Sequence, residues 1–256
     1  MRKESRVTMT IAGLDIGSRT IALVEMDGGG IRHSEVVETT FDPLEQCRVL
    51  LEDRGFDLLV ATGYGRHLAQ ANFADRTITE IKAFALGCHE FFPECRTILD
   101  IGGQDTKAIS LAPGGKVADF QMNDRCAAGT GKFLEVMAAA MGLSLEEMGR
   151  IALETEAEVK ISSMCTVFAE SEVTGLIARG TPRPEIARGL HEAICDRAVS
   201  LLKRVGVKRE VVFAGGVARN PCLRSLLEHR LGVPLLVPEN PQIVGALGAA
   251  LSANTS

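Results

Sequence analysis

Two kinds of apolar pattern alternate along the chain. Short runs rich in Val, Ile and Leu suit strands, and they are separated by stretches whose apolar residues recur every three or four positions, which suit helices. The segment MTIAGLDIGSRTIALVEMDGGGIRHSEVV (9–37) reads as strand, turn, strand, glycine-rich hairpin and strand. RTILDIGGQDTKAISLAPGGKVADFQMN (96–123) repeats that plan, down to an Asp-Ile-Gly turn between its first two strands. Between them, GYGRHLAQANFAD reads as a loop and ITEIKAFALGCHEF as a helix. Helical patterns then run from about 131 to 155, 166 to 179, 184 to 205 and 219 to 231, and IVGALGAALSA (243–253) reads as a last apolar helix.

Strands alternating with helices predict an α/β fold. The internal repeat, of about 90 residues, is too long for a solenoid and predicts two similar lobes. The expected first lobe is 1–95 and the second 96–240, with the C-terminal helix, 241–256, packing back on the first.

Charge and cysteine content remove several function classes. The net charge is −5, and no long Lys/Arg cluster is present, which argues against nucleic acid or an anionic membrane as partner. The N-terminal MRKESR is basic, but the apolar run behind it, Val7 to Leu14, is too short to span a bilayer. A cytoplasmic protein is expected. Seven cysteines, an odd number without framework spacing, suit a reducing compartment. The five histidines are scattered, with no metal-ligand spacing.

The candidate chemistry lies in turns. GTGK at 129–132 resembles a phosphate-binding P-loop, but the leading glycine would fall on Cys126 and the magnesium-binding hydroxyl on Phe133, so that reading fails. Leu14-Asp15-Ile16-Gly17-Ser18 puts a carboxylate at a strand end before a tight turn. Such a turn is either an ordinary hairpin or a place where amides approach phosphate oxygens while the acid holds a magnesium-bound water. A second copy, Leu99-Asp100-Ile101-Gly102-Gly103-Gln104-Asp105, favours the latter, because two such hairpins can clamp one polyphosphate. In VVFAGGVARN (211–220) an apolar strand runs into Gly-Gly and a helix start, where unpaired amides favour an anion or a nucleotide sugar. Cys126 and Cys165 each precede a helical pattern, a context that fits either a metal-ligating thiolate or a buried small hydrophobe.

Two hairpin phosphate motifs followed by a Gly-Gly motif resemble the ATPase fold of actin, hexokinase and the heat-shock chaperones. More specifically, TGYGR (62–66), LDIGGQDTKAI (99–109), QMNDRCAAGTGKFLEVMA (121–138), ISSMCTVFAESEV (161–173), AGGVARN (214–220) and GALGAAL (245–251) resemble the activator ATPases (component A) of the 2-hydroxyacyl-CoA dehydratases. These are of the BadF/BadG/BcrA/BcrD type, related to the ATPase subunits of benzoyl-CoA reductase. The resemblance implies a two-lobed actin-like fold and ATP-driven transfer of one electron from a 4Fe–4S cluster, one per homodimer, ligated by Cys126 and Cys165 of each chain. It implies Mg2+ and ATP between the lobes. Asp15 and Asp100 would stand near the metal or the attacking water, with Gln104 orienting that water. The amides around Gly17, Ser18, Gly102 and Gly103 would hold the phosphates, with Arg19, Thr20, Asp105, Gly129, Gly131 and Lys132 as further cofactor-binding residues, and Gly215, Gly216, Val217, Asn220 and Gln242 would lie near the adenosine. The implied partners are a 2-hydroxyacyl-CoA dehydratase or a related iron–sulfur reductase, such as benzoyl-CoA reductase or a double-cubane cluster protein, with ferredoxin or flavodoxin as electron donor.

The cluster reading agrees with the thiol count. A 4Fe–4S cluster usually takes four thiolates, and a twofold axis that presents Cys126 and Cys165 twice supplies four. Cys47, Cys88, Cys95, Cys195 and Cys222 are read as core residues. One departure concerns the lysine that relatives carry after the first hairpin: its position here is Ala22, and Arg19 is the nearest cation. Two rival functions are a clusterless small-molecule kinase of the same fold and an actin-type nucleotide-dependent module.

Overall fold

The computed structural model describes residues 9–28, 30–157, 159–162 and 165–254. The basic MRKESR, and Ser163 and Met164 of the second cysteine motif, lie outside the described residues. The chain divides into two compact units, Met1–Phe91 with Gln242–Ser256, and Phe92–Pro241.

The first unit is built on a five-stranded sheet. Strands β1 (Ile11–Ile16), β2 (Thr20–Asp27) and β3 (Gly30–Glu38) form an antiparallel meander. Helix α1 (Pro43–Leu51) then leads to β4 (Leu58–Gly63), which pairs in parallel with β1. Helix α2 (Arg66–Asn72), the short β5 (Arg76–Thr77) and α3 (Glu80–Phe91) follow, giving the strand order β3-β2-β1-β4-β5. The second unit repeats this plan: β6 (Thr97–Ile101), β7 (Thr106–Leu111) and β8 (Val117–Asn123) form the meander. Helices α4 (Gly131–Ala140), α5 (Leu145–Ile151), α6 (Thr166–Ala178) and α7 (Arg183–Val205) intervene before β9 (Val211–Ala214) pairs in parallel with β6. Helix α8 (Pro221–Leu231) and β10 (Leu235–Leu236) complete the order β10-β9-β6-β7-β8, and the chain ends in α9 (Val244–Leu251) within the first unit.

Local chemistry explains most boundaries. Asp42 caps α1, its carboxylate accepting from the Glu45 amide, with Pro43 at the first helical position. The helical pattern over 131–155 resolves into two helices, because Gly142 takes a left-handed φ of +64° and Ser144 opens α5 with a reciprocal capping box to Glu147. The stretch GYGRHLAQANFAD, read as loop, contains α2: the sequence carries no side-chain cap there, since the N-cap is Gly65. Helix α9 is apolar on every side and buried from Val244 to Ala250; it packs on α3, β1 and β2, with small residues permitting close approach. None of the described helices is long and apolar enough to cross a membrane.

Candidate functional site

In the first unit, Asp15 lies opposite Ala22 of β2 and beside Thr62 of β4. The Gly17 amide donates to the Thr20 carbonyl at 3.0 Å, closing a turn with Ser18 and the exposed Arg19 at its tip. Thr39 braces it, donating from its hydroxyl to the Gly17 carbonyl and from its amide to the Arg19 carbonyl, each at 2.9 Å. Gly63, at the end of β4, has φ +86° and faces Asp15 Oδ1, where any Cβ would overlap the carboxylate. Gly245, in the first turn of α9, presses on Asp15 Oδ2 in the same way, so the positive end of α9 meets this acid.

The second unit builds the same frame with a different occupant. Asp100 lies opposite Lys107 and beside Ala214. The Gly102 amide donates to the Asp105 carbonyl at 2.9 Å, with Gly103 and Gln104 at the tip. Gly215, φ +81°, faces Asp100 Oδ1 as Gly63 faces Asp15. Here, however, Lys107 reaches the acids: its Nζ is 3.1 Å from Asp100 Oδ2 and 2.6 Å from Asp105 Oδ2. Asp100 and Lys107 are only 1% and 2% exposed, so this is a buried ion pair.

The Gly-Gly segment continues as a short 3-10 turn, Gly216–Arg219, into α8. The Asn220 side chain is engaged at both ends. Its Oδ1 accepts from the Leu223 amide at 2.9 Å, capping α8, and its Nδ2 donates to His191 Nε2 at 2.9 Å. His191, wholly buried on α7, donates from Nδ1 to the Ala187 carbonyl at 2.7 Å, and burial holds its pKa below the ordinary histidine value. Gln242 belongs to the first unit, just ahead of α9.

The cysteines separate into two groups. Cys47, Cys88, Cys95, Cys195 and Cys222 are buried, and desolvation pushes the thiols of Cys47 and Cys222 up to about 11 and those of Cys95 and Cys195 to about 12. Such thiols are poor sources of the thiolate that metals require. Cys126 and Cys165 are exposed. Cys165 is the N-cap residue of α6, and α6 packs against α4, the helix that follows Cys126.

The loop from Cys126 to Gly129 is fixed through its carbonyls. Asn123 Nδ2 donates to those of Cys126 (2.9 Å) and Ala128 (3.1 Å), Thr130 Oγ1 to that of Ala127 (2.7 Å) and Thr106 Oγ1 to that of Gly129 (2.8 Å). Among the described residues, none accepts from the amides of these four residues. The Thr130 amide donates to the Ala127 carbonyl at 3.0 Å, and the two after it reach the hairpin: Gly131 donates to the Gly102 carbonyl at 2.9 Å and Lys132 to that of Gly103 at 2.8 Å. The start of α4 is therefore fastened to the second hairpin. A Cβ at Gly131 would stand 3.0 Å from that Gly102 oxygen, so glycine permits the approach. The Lys132 ammonium lies 3.4 Å from Glu135.

Among the described residues, no group of three or more His, Cys, Asp and Glu converges as a metal site. One chain thus offers two accessible thiols, half the set a 4Fe–4S cluster takes, and the residues fit such a group when a second copy brings the other half.

Several participants were not singled out as site residues in the sequence. Lys107 and Gly63 fall inside the LDIGGQDTKAI and TGYGR motifs, but only the fold sets them against Asp100 and Asp15. Gly245, His191 and the Asn123–Thr106–Thr130 brace arise from tertiary packing.

Comparison with known proteins identifies the family. The chain is 42% identical over 258 residues to the activator of lactoyl-CoA dehydratase of Anaerotignum propionicum, covering 96% of this chain and 97% of that one. It is 41% identical over 254 residues to the 2-hydroxyisocaproyl-CoA dehydratase activator of Clostridioides difficile, covering 96% and 95%. The solved activator of the 2-hydroxyisocaproyl-CoA dehydratase from Clostridium difficile, with bound ADPNP, superposes with a TM-score of 0.88 at 40% identity, covering 96% of this chain and 94% of that one. The duplicated α/β units are those of the actin-like ATPase fold. The family model for the BadF/BadG/BcrA/BcrD ATPases matches residues 12–253, and the chain belongs to that family.

Proposed function

We propose that this ATPase is the one-electron donor that activates a 2-hydroxyacyl-CoA dehydratase-type partner, drawing its electron from a ferredoxin or flavodoxin and holding a 4Fe–4S cluster between two copies of the chain. The observation that carries this reading is the pair of backbone bonds, Gly131 to Gly102 and Lys132 to Gly103, that fastens the helix behind Cys126 to the second phosphate hairpin. When bound, the cluster supplies a one-electron carrier whose potential follows charge, hydrogen bonding and exposure.

The chain's own residues divide the work. The Gly17–Thr20 and Gly102–Asp105 turns hold phosphates through their amides, with Ser18 and Arg19 at the tip of the first. Asp15 positions magnesium or its water, and Gln104 orients the attacking water. Asp100, locked to Lys107, anchors the second hairpin and sets its charge. Gly215, Gly216 and Val217 offer backbone to the adenosine, Asn220 keeps that segment in place, and Gln242 is a further adenosine candidate. A shift of the Gly102 and Gly103 carbonyls on hydrolysis is passed to α4 and the Cys126 loop without any flexible link between them.

Cys126 and Cys165 hold half of the cluster's ligands, and the partner copy holds the rest. The exposed Val167 and Phe168 follow Cys165, and the exposed Phe120 and Met122 precede Cys126, so apolar surface suited to an interface flanks both thiols. Anaerobic purification tests the proposal. The expected result is a brown dimer with one 4Fe–4S cluster per two chains by iron analysis and EPR, and a Cys126→Ser variant without cluster. A colourless protein, or a monomer retaining a complete cluster, overturns it.

A further inference from the structure

We propose that Arg197 of α7 sets the reduction potential of the cluster site, holding a fixed positive charge behind the loop that carries Cys126. The inference rests on the cluster reading above. Two contacts locate the side chain. Its Cδ lies 3.2 Å from where a Cβ at Gly129 would stand, so Gly129, with φ +89°, leaves room for the arginine stem under the loop. Its guanidinium carbon lies 5.6 Å from the centroid of the Phe133 ring on α4, within cation–π range.

A guanidinium in this position stays protonated at any working pH, so the loop always has one positive charge at its back. Reduction adds one electron, and hence one negative charge, to a bound cluster. A nearby cation stabilises that reduced state and raises the potential, and partial burial keeps the effect from being screened away. Arg197 thereby makes a cluster that must deliver a low-potential electron still reducible by the donor that loads it. It acts as a positioning residue for charge, touching the loop and not the ligand sulfurs' bonds to iron.

The test is an EPR-monitored redox titration of the full-length dimer, purified without oxygen, as wild type, Arg197→Met and Arg197→Lys. Methionine keeps the unbranched stem against Gly129 and Phe133 but removes the charge; lysine keeps the charge. The expected result is that Arg197→Met titrates at a more negative potential. Poised at the wild-type midpoint, its reduced-to-oxidised ratio falls about tenfold, equivalent to about 59 mV for one electron. Arg197→Lys stays within about threefold of wild type, about half that shift. A methionine variant that titrates with the wild type, or a lysine variant displaced as far as methionine, overturns the proposal, the second by assigning the effect to packing. Should Arg197→Met fail to fold, judged by nucleotide binding, Arg197→Gln is read by the same criterion. Absence of iron in the wild type itself overturns the underlying cluster reading instead, so the two failures are distinct.

Discussion

The two phosphate hairpins share a backbone and differ in what stands against the acid. In both units an aspartate ends the central strand, a four-residue turn closes by a single amide–carbonyl bond, and a left-handed glycine from the parallel neighbour seats itself on Oδ1. Opposite Asp15 the sheet presents Ala22, and the space admits the first turn of α9; opposite Asp100 it presents Lys107. One acid meets about half a charge from a helix end, the other a whole ammonium. The duplication therefore preserved geometry and let chemistry diverge. Asp15 is half-buried and suited to a metal-bound water, whereas Asp100 is sealed into an ion pair and suited to anchoring.

The largest test of that division is Lys107→Met. It leaves the Asp100 carboxylate buried without its cation, which costs about 3–5 kcal/mol of stability. A denaturant midpoint should fall accordingly, and Asp100→Asn added to Lys107→Met should recover much of the loss, since no orphan charge remains. A single variant as stable as wild type would mean that the pair contributes little and that the two hairpins are held alike.

Next in size are the acids themselves. Asp15→Asn should lower ATP hydrolysis at least about 100-fold, roughly 2.7 kcal/mol in the barrier, while leaving the denaturant midpoint near wild type. Asp100→Asn should impair both. Steady-state phosphate release beside equilibrium unfolding distinguishes them; equal losses of stability in the two variants, or full hydrolysis in both, would erase the contrast. Gly63→Ala and Gly215→Ala address the shared part. Each forces a Cβ into a carboxylate at a left-handed φ, and each should cost about 1–3 kcal/mol. Calorimetric binding of ADP should weaken in both, and a neutral result in one alone would break the equivalence of the two frames.

How far the sequence disclosed these features depended on whether a feature was local. Cys126 and Cys165 stood apart from the other five cysteines only through the family resemblance, whereas the meander of each unit and the Asp-Ile-Gly turns lie within short segments whose patterns read directly. Helix α2 did not, because its N-cap is a glycine without a capping side chain and its seven residues are too few for a clear period. Nor did the contacts that make the site. The Gly131 and Lys132 amides look like free helix-start donors in the sequence; only the fold delivers the Gly102 and Gly103 carbonyls to them. Asn220 reads as a ligand-binding residue because the helix it caps and His191, 29 positions away, cannot be seen together in the chain.

That same Asn220 supplies the smallest and most selective test. In the second unit the segment after the left-handed glycine is held through a histidine; in the first, Arg66 Nη1 donates to the Gly63 carbonyl at 3.0 Å. His191 is neutral when folded, and burial lowers its pKa below the unfolded value of about 6.5. Below that value the unfolded chain binds the extra proton and the folded one resists it, so this contribution is complete above about pH 6.5 and is lost as pH falls toward the folded pKa. Protonation also removes the lone pair that accepts from Asn220 Nδ2. Amide hydrogen exchange compared at about pH 7.5 and about pH 5.5, corrected for intrinsic rates, should show residues 216–223 losing protection while residues 63–66 do not. His191→Gln, which retains a donor and an acceptor but cannot titrate, should flatten the response of 216–223. If both segments respond alike, or the variant follows wild type, His191 is not the titrating group and the pH contrast between the two units disappears.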